Sequence, residues 1–254
     1  MLERDLSGGI LTLRLAHGKA NALDDALAAA LVRELAAAEA DDEVRALVLT
    51  GTGTMFSPGV DLFRLTEGGT EYVRRFFPLL CDMIRALFEL SRPVVVAANG
   101  HAIAGGCLML WAGDYRLMAE GEWRMGVPEL LVGVPFPAVP LEVVRSAVSP
   151  ERFPDVVFRG RTYLPAEARE LGFVDEVVAP GRLQERAREI ASQLALVPGE
   201  VFSLTKRYLR ADALDRLRRH GEAHDREALR VWSSPRTLDR VREYLARTVR
   251  RPAE

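Results

Sequence analysis

Two glycine-ended stretches carry the residues best suited to chemistry: "TGTGTMFSPGVDL" (50–62) and "GHAIAGGCLMLWAGDYRLM" (100–118). Each offers a backbone N–H beside a glycine, at Val60 just after Gly59 and at Gly105 itself. Two such donors converging on one carbonyl oxygen stabilise an oxyanion or enolate as charge develops there. Gly105 also opens an apolar run that reads as the start of a buried helix, where unpaired N–H groups and the positive end of the helix dipole point outward. The competing explanation for the Gly105–Gly106 pair is close packing of backbone on backbone, since glycine is costly in a helix and needs a reason to be there. Neither loop has a nucleotide pattern: "GTGTMF" lacks a following Gly-Lys-Ser/Thr, and "GHAIAGG" lacks G-x-G-x-x-G spacing.

These loops need strands and helices to aim them. "GILTLRL" (9–15) alternates apolar and polar residues and predicts a strand, and "LDDALAAALVRELAAAEA" (23–40) predicts a helix with Asp24 and Asp25 as its N-terminal charges. "VRALVLTG" (44–51) and "RPVVVAANG" (92–100) predict buried strands that stop at glycine. Between them "TEYVRRFFPLLCDMIRALFEL" (70–90) has helical spacing, with a break or kink expected at Pro78. Alternation of this kind predicts an α/β domain whose ligands collect where strands end in glycine-rich loops, and makes the two loops neighbours. Past residue 180 strand signals fade. "LQERAREIASQLALV" (183–197) and the arginine-rich tail to Arg251 read as helical, with a break near "VPGE" (197–200).

Composition removes several classes of function. The chain has 254 residues, and 34 Lys plus Arg against 36 Asp plus Glu give a net charge of −2, which offers no electrostatic case for nucleic acid or a membrane surface. No apolar run is long enough to span a bilayer, and "MLERDLSGGI" lacks the basic-then-apolar order of a signal peptide, so a cytoplasmic protein is expected. Cys81 and Cys107 have no metal-ligand spacing to each other or to the four histidines, so no metal is expected.

The ordered set "KANALDDAL" (19–27), "VLTGTGTMFSPGVDL" (48–62), "RPVVVAANGHAIAGGCLMLWAGDYRLM" (92–118), "GVPELLVGVPFP" (126–137) and "AEARELGFVDEVV" (166–178) resembles the crotonase family, the enoyl-CoA hydratases and isomerases. The resemblance covers most of residues 1–200 and implies a spiral core of ββα units over 1–198. It also implies a C-terminal helical trimerisation segment over 199–254, hence a homotrimer or a dimer of trimers. It implies an acyl-CoA thioester as substrate, with coenzyme A as part of that substrate and no further cofactor. The thioester oxygen then falls to the N–H groups of Val60 and Gly105. Lys19, Ala20 and Ala22 fall along the coenzyme A portion, and Asp61 and Leu62 close to the thioester loop. Lys206 in "SLTKRYL" resembles a tail lysine that reaches CoA phosphates, although a lone lysine on an amphipathic helix is more commonly solvated.

Family hydratases hold water between two glutamates, and this chain keeps one position of the two. The retained acid is Glu129 in "GVPEL"; a glutamate taken at random would be an exposed loop residue, and it is the match to the Pro-Glu motif that singles this one out. The other position holds Leu108, three residues beyond Gly105 and on the same helix face, and leucine cannot hold or deprotonate water. One base plus an oxyanion hole suits a 1,3-proton shift, so a Δ3,Δ2-enoyl-CoA isomerase is expected first. Enoyl-CoA hydration, thioester hydrolysis or decarboxylation, and a catalytically silent binding protein, are the alternatives. Phe136 reads as core or as acyl-pocket lining and Trp111 as core. His101 lacks a Ser or Cys partner and reads as structural, and Asp114 and Tyr115 as supports of the fold.

Overall fold

The computed structural model describes residues 1–248; the end of the arginine-rich tail, Arg250 and Arg251 included, lies outside the described residues. The chain advances in repeats of two strands and a helix, the first strand of each repeat joining one sheet and the second another. β1 (Leu2–Ser7) and β2 (Ile10–Leu15) form an antiparallel hairpin, turned by Gly8 and Gly9, and α1 (Asp25–Ala40) follows. Three full repeats come next. They are β3 (Ala46–Gly51), β4 (Met55–Ser57) and α2 (Leu62–Glu89); β5 (Val94–Ala98), β6 (His101–Ile103) and α3 (Gly105–Ala112); and β7 (Tyr115–Ala119), β8 (Met125–Gly126) and α4 (Glu129–Val132). After α5 (Ala138–Ala147), α6 (Pro165–Glu170) and β9 (Glu176–Val178), the chain ends in α7 (Leu183–Leu194), α8 (Gly199–Leu209), α9 (Ala211–Trp232) and α10 (Pro235–Thr248). The ββα order implied by the family resemblance is therefore the observed architecture.

The larger sheet runs β1-β2-β3-β5-β7-β9 and is parallel after the hairpin. Its central strands β3 and β5 are buried at every residue, as parallel strands covered on both faces must be. Alternation divides their side chains: Leu47, Leu49, Val94 and Val96 enter the main core, while Ala46, Val48, Val95 and Ala97 pack beneath α7. The smaller sheet, β4-β6-β8, is wholly parallel and only two or three residues deep. An isolated parallel bridge between Leu23 and Val60 gives β2, Leu23 and α1 the same order in rudiment.

The break expected at Pro78 lies elsewhere. α2 departs from helical geometry at Gly69 (φ 61°, ψ −154°), a left-handed turn that glycine adopts without steric cost, while Pro78 stays within the helix. Proline removes one hydrogen bond there, and burial of Phe76, Phe77, Leu80 and Cys81 around it holds the helix together regardless. The C-terminal helices have no core of their own: Leu217, Trp232, Leu238, Val241 and Leu245 of α9 and α10 join the main core. α8 differs, leaving Val201, Leu204, Tyr208 and Leu209 exposed. Among the described residues no helix is long and apolar enough to cross a membrane.

Candidate active site

The three groups singled out for chemistry leave the same edge of the small sheet. Val60 lies three residues beyond the end of β4, Gly105 two beyond β6 and Glu129 three beyond β8. Because the strands are parallel and adjacent, their C-terminal ends lie side by side, the usual place for ligands in parallel sheets. Further bonds tighten this register. Ala104 N–H donates to Gly126 O at 2.8 Å, tying the residue before α3 to the strand that leads to Glu129.

The Val60 N–H is freed by the bridge opposite it. Leu23 N–H donates to Gly59 O (2.8 Å) and Asp61 N–H donates to Leu23 O (2.9 Å), so the groups flanking Val60 face Leu23 and its own N–H faces the other way. Gly105 is the first residue of α3, and no side chain caps that helix. Its neighbour Ala104 sits at φ 51°, ψ −122°, a conformation a residue with a Cβ adopts only when its surroundings enforce it. A Cβ placed on Gly59 would lie 2.8 Å from Gly105 N, so the two loops touch at the point where their donors emerge. The glycine doublet has two separate causes. A Cβ on Gly106 would lie 2.2 Å from Ser57 O, which makes Gly106 a requirement of backbone packing between α3 and β4. A Cβ on Gly105 would crowd a side-chain end, Leu23 Cδ1 at 2.6 Å, and come within ordinary contact of Gly59 Cα at 3.5 Å.

Glu129 begins α4 and is 6% exposed. Its Oε2 has no hydrogen-bond partner, and burial pushes its pKa up to about 8 from an ordinary value of 4.5. Leu108, Val127, Val132 and Phe136 share the buried main core, Leu108 on α3 one turn beyond Gly105. Cys107 is fully buried beside it; burial, then the proximity of Glu129, keeps its thiol neutral. A carboxyl group kept neutral by an apolar site and left unpartnered is suited to exchanging a proton with carbon.

The segment assigned to coenzyme A lies against the same loops. Lys19 is exposed and Ala20 and Ala22 are half-buried, with Asn21 between them at φ 57°. Asn21 Nδ2 donates to Met55 O (3.1 Å) and Phe56 O (3.2 Å), and Ser57 Oγ donates to Asn21 O (2.8 Å), so the segment is tied to β4. Asn21 and Ser57 are positioning groups that the sequence reading passed over; an asparagine in a short polar turn was the available signal. Asp61 caps α2, accepting from Phe63 N–H (3.1 Å) and Arg64 N–H (3.0 Å), and Leu62 opens the helix half-buried. His101 supports the fold: its Nδ1 accepts from Arg124 N–H at 3.0 Å. Trp111 is core, its indole donating to Phe173 O.

Lys206 is a correction. Its ammonium is neither solvated nor free to reach CoA phosphates, because Nζ donates to Asp114 Oδ2 at 2.7 Å and to Arg92 O at 3.3 Å beneath the surface. Burial lowers its pKa to about 8, with Asp114 opposing that shift. The helix that carries it packs this face inward against the end of α3, so the charge is held by the fold.

An α/β spiral whose small parallel sheet presents two backbone N–H groups and a buried carboxyl group has the parts that acyl-transfer or enolate-forming enzymes use. The family profile described as enoyl-CoA hydratase/isomerase matches residues 5–236, and the chain belongs to that family, whose members act on acyl-CoA. A Thermus thermophilus protein carrying the provisional name enoyl-CoA hydratase is 36% identical over 194 residues, 75% of this chain and 76% of that one. Rat mitochondrial enoyl-CoA delta isomerase 1 is 26% identical over 225 residues, 88% of this chain and 78% of that one. The crystal structure of human mitochondrial delta3-delta2-enoyl-CoA isomerase superposes with a TM-score of 0.90 at 24% identity, covering 97% of this chain and 96% of that one, which establishes the fold.

Proposed function

We propose that the protein is a Δ3,Δ2-enoyl-CoA isomerase with a single acid-base group. The observation that carries this reading is the buried, unpartnered carboxyl of Glu129; Leu108, where the resemblance implies a second acid in hydratases, is buried and apolar. Glu129 in its ionised form removes a proton from C2 of a 3-enoyl-CoA. The negative charge passes to the thioester oxygen, which the Val60 and Gly105 N–H groups receive, and the conjugated dienolate takes the same proton back at C4. The product is the 2-trans-enoyl-CoA. Hydration needs a water held and deprotonated, and Leu108 offers that water no partner. Lys19, Ala20 and Ala22 would lie along the coenzyme A portion, Asp61 and Leu62 beside the thioester, and Phe136 against the acyl chain. Coenzyme A enters as part of the substrate, and no separate cofactor takes part.

Incubating the protein separately with 3-enoyl-CoA and 2-enoyl-CoA tests the proposal. Isomerisation leaves the mass of the first unchanged while converting it to the conjugated thioester; hydration of the second adds one water. We expect the first reaction to dominate, and rapid hydration would overturn the reading. We further propose a homotrimer, or a dimer of trimers, in the cytoplasm. The exposed apolar face of α8, with Val201, Leu204 and Tyr208 at helical spacing, supports self-association. Light scattering is expected to give a multiple of three chains, and a stable monomer at micromolar concentration would contradict it.

A further inference from the structure

We propose that Arg210 is a positioning residue for the oxyanion helix, acting on the Gly105 N–H from the opposite end of α3. The inference rests on the reading above, in which that N–H receives the thioester oxygen. α3 is eight residues long and entirely buried; Gly106 packs it on β4 and the Trp111 indole bonds Phe173 O, but it has no charged side chain, so nothing within it sets its field. Arg210, at the junction of α8 and α9, sets it from outside. Its Nη2 donates to Ala112 O, the last carbonyl of α3, at 3.2 Å and to Asp114 Oδ1 at 2.8 Å. Its Nη1 donates to Phe88 O near the end of α2, and the guanidinium lies 4.1 Å from the centre of the Phe88 ring. One planar group thereby joins the C-terminal end of α3, which starts at the Gly105 donor, to that of α2, whose last helical segment starts after the break at Gly69.

The chemistry of this cluster explains its composition. Asp114 also accepts from Lys206 Nζ (2.7 Å) and Val94 N–H (2.8 Å), so two buried cations share one carboxylate. An excess of positive charge below the surface is costly unless other negative groups face it. Glu89 acts on Arg210 and Glu39 on Lys206, and the carbonyls at the ends of α2 and α3 face the guanidinium as well, carrying the negative pole of each helix. A cation against the negative pole of α3 leaves the positive pole, at Gly105, less opposed. At about 1.5 Å per residue the guanidinium acts on that N–H across only about 12 Å of low-dielectric core. The fork geometry matters too, because a lysine cannot bond two carbonyls and a carboxylate in one plane.

The test reads the polarisation of a bound carbonyl directly. A chromophoric aryl-enoyl-CoA thioester absorbs to the red when its carbonyl oxygen is drawn into strong hydrogen bonds, whatever reaction the enzyme catalyses. We expect wild type to produce that red shift, Arg210→Met to produce a smaller one, and kcat with 3-enoyl-CoA to fall about tenfold while KM stays nearly constant. Arg216→Met is the control for simple loss of anchoring. Arg216 ties α9 to α5 through Glu142, at 2.7 and 2.9 Å, without bonding to α3. That variant should melt at a lower temperature and leave the red shift and kcat unchanged. If Arg210→Met does not fold, Arg210→Lys replaces it, keeping the charge but not the fork, with an intermediate shift expected. An Arg210 variant with the full wild-type shift and kcat overturns the proposal. Failure of wild type to shift or bind the probe overturns the acyl-CoA oxyanion reading itself, and the proposal with it.

Discussion

The two sheets share one chain path and divide the work. The six-stranded sheet consists of strands of three to six residues, its central members buried on both faces, and its side chains build both hydrophobic clusters. The three-stranded sheet contributes eight residues in all, yet Val60, Gly105 and Glu129 emerge from its edge. A framework of longer paired strands can lose a packed side chain at a cost in stability without moving the strand that carried it, because its neighbours hold that strand along its length. A sheet two or three residues deep has no such reserve. Backbone contacts with no room for a side chain hold it, and a small displacement there reaches the reacting atoms undiminished.

The largest difference should appear between adjacent glycines. Gly106→Val would press a side chain into the Ser57 carbonyl, backbone against backbone, and is expected to abolish cooperative folding in a thermal melt followed by circular dichroism. Gly105→Val crowds the end of the Leu23 side chain rather than backbone, so it should fold with reduced stability while losing turnover, since the branched side chain blocks the approach to the N–H. Full turnover in a folded Gly105→Val would remove Gly105 from the site. In the large sheet, Leu49→Ala should cost about 2–5 kcal/mol of stability and leave kcat per folded molecule close to wild type. A matching fall in kcat would mean that the two sheets are not separable as described.

pH acts on the small-sheet side through Glu129 and, away from it, on Lys206 beside Asp114, whose pKa burial lowers to about 8. Glu129 must be ionised to take a proton, so kcat/KM for isomerisation should rise about tenfold per unit of pH and level near pH 8. Stability runs the other way. The folded state holds this proton more tightly than the unfolded chain, so the contribution is complete below the ordinary value of 4.5 and is lost as pH rises through about 8. Glu129→Gln should flatten that decline in a urea titration across pH 5–9; an unchanged slope would place the titration elsewhere. The smallest effect expected is a gain. Leu108→Glu adds a second acid one turn beyond Gly105 and should give slow but measurable hydration of 2-trans-enoyl-CoA, at a stability cost of several kcal/mol from the buried carboxyl. No hydration in the folded variant would show that residue 108 does not face the reacting carbons.

The sheets also differ in how far the sequence reveals them. β3 and β5 are legible because apolar residues run to a glycine, the physical condition for a buried strand entering a tight turn, and β2 because its apolar and polar residues alternate. β1 escaped notice because "LERDLS" is an edge strand with most of its side chains in solvent, so it carries little hydrophobic signal. The small sheet escaped for another reason: two or three residues are too few for a periodicity, and its pairings are set by what lies across space. Val60 and Gly105 were readable as donors beside glycines, whereas Glu129 was readable only through its Pro-Glu motif, because nothing local distinguishes a buried glutamate from an exposed one. Lys206 was misread since the partner that buries it, Asp114, is 92 residues away in the chain. Arg210 was hidden by the same distance, its bonds to Phe88 and Ala112 crossing 122 and 98 residues.

The central claim is that one carboxyl group at the edge of the small sheet carries the proton both ways, and Glu129→Gln tests it most directly. The amide keeps the shape and hydrogen bonding of the side chain and removes its ability to accept the C2 proton. Isomerisation of 3-enoyl-CoA should fall at least about a hundredfold, while the affinity for a non-isomerisable acyl-CoA, measured by calorimetry, stays within about twofold because 1.4 kcal/mol is a tenfold change and no binding contact is lost. A variant that binds the thioester and still isomerises at the wild-type rate would contradict the account and show that another group moves the proton.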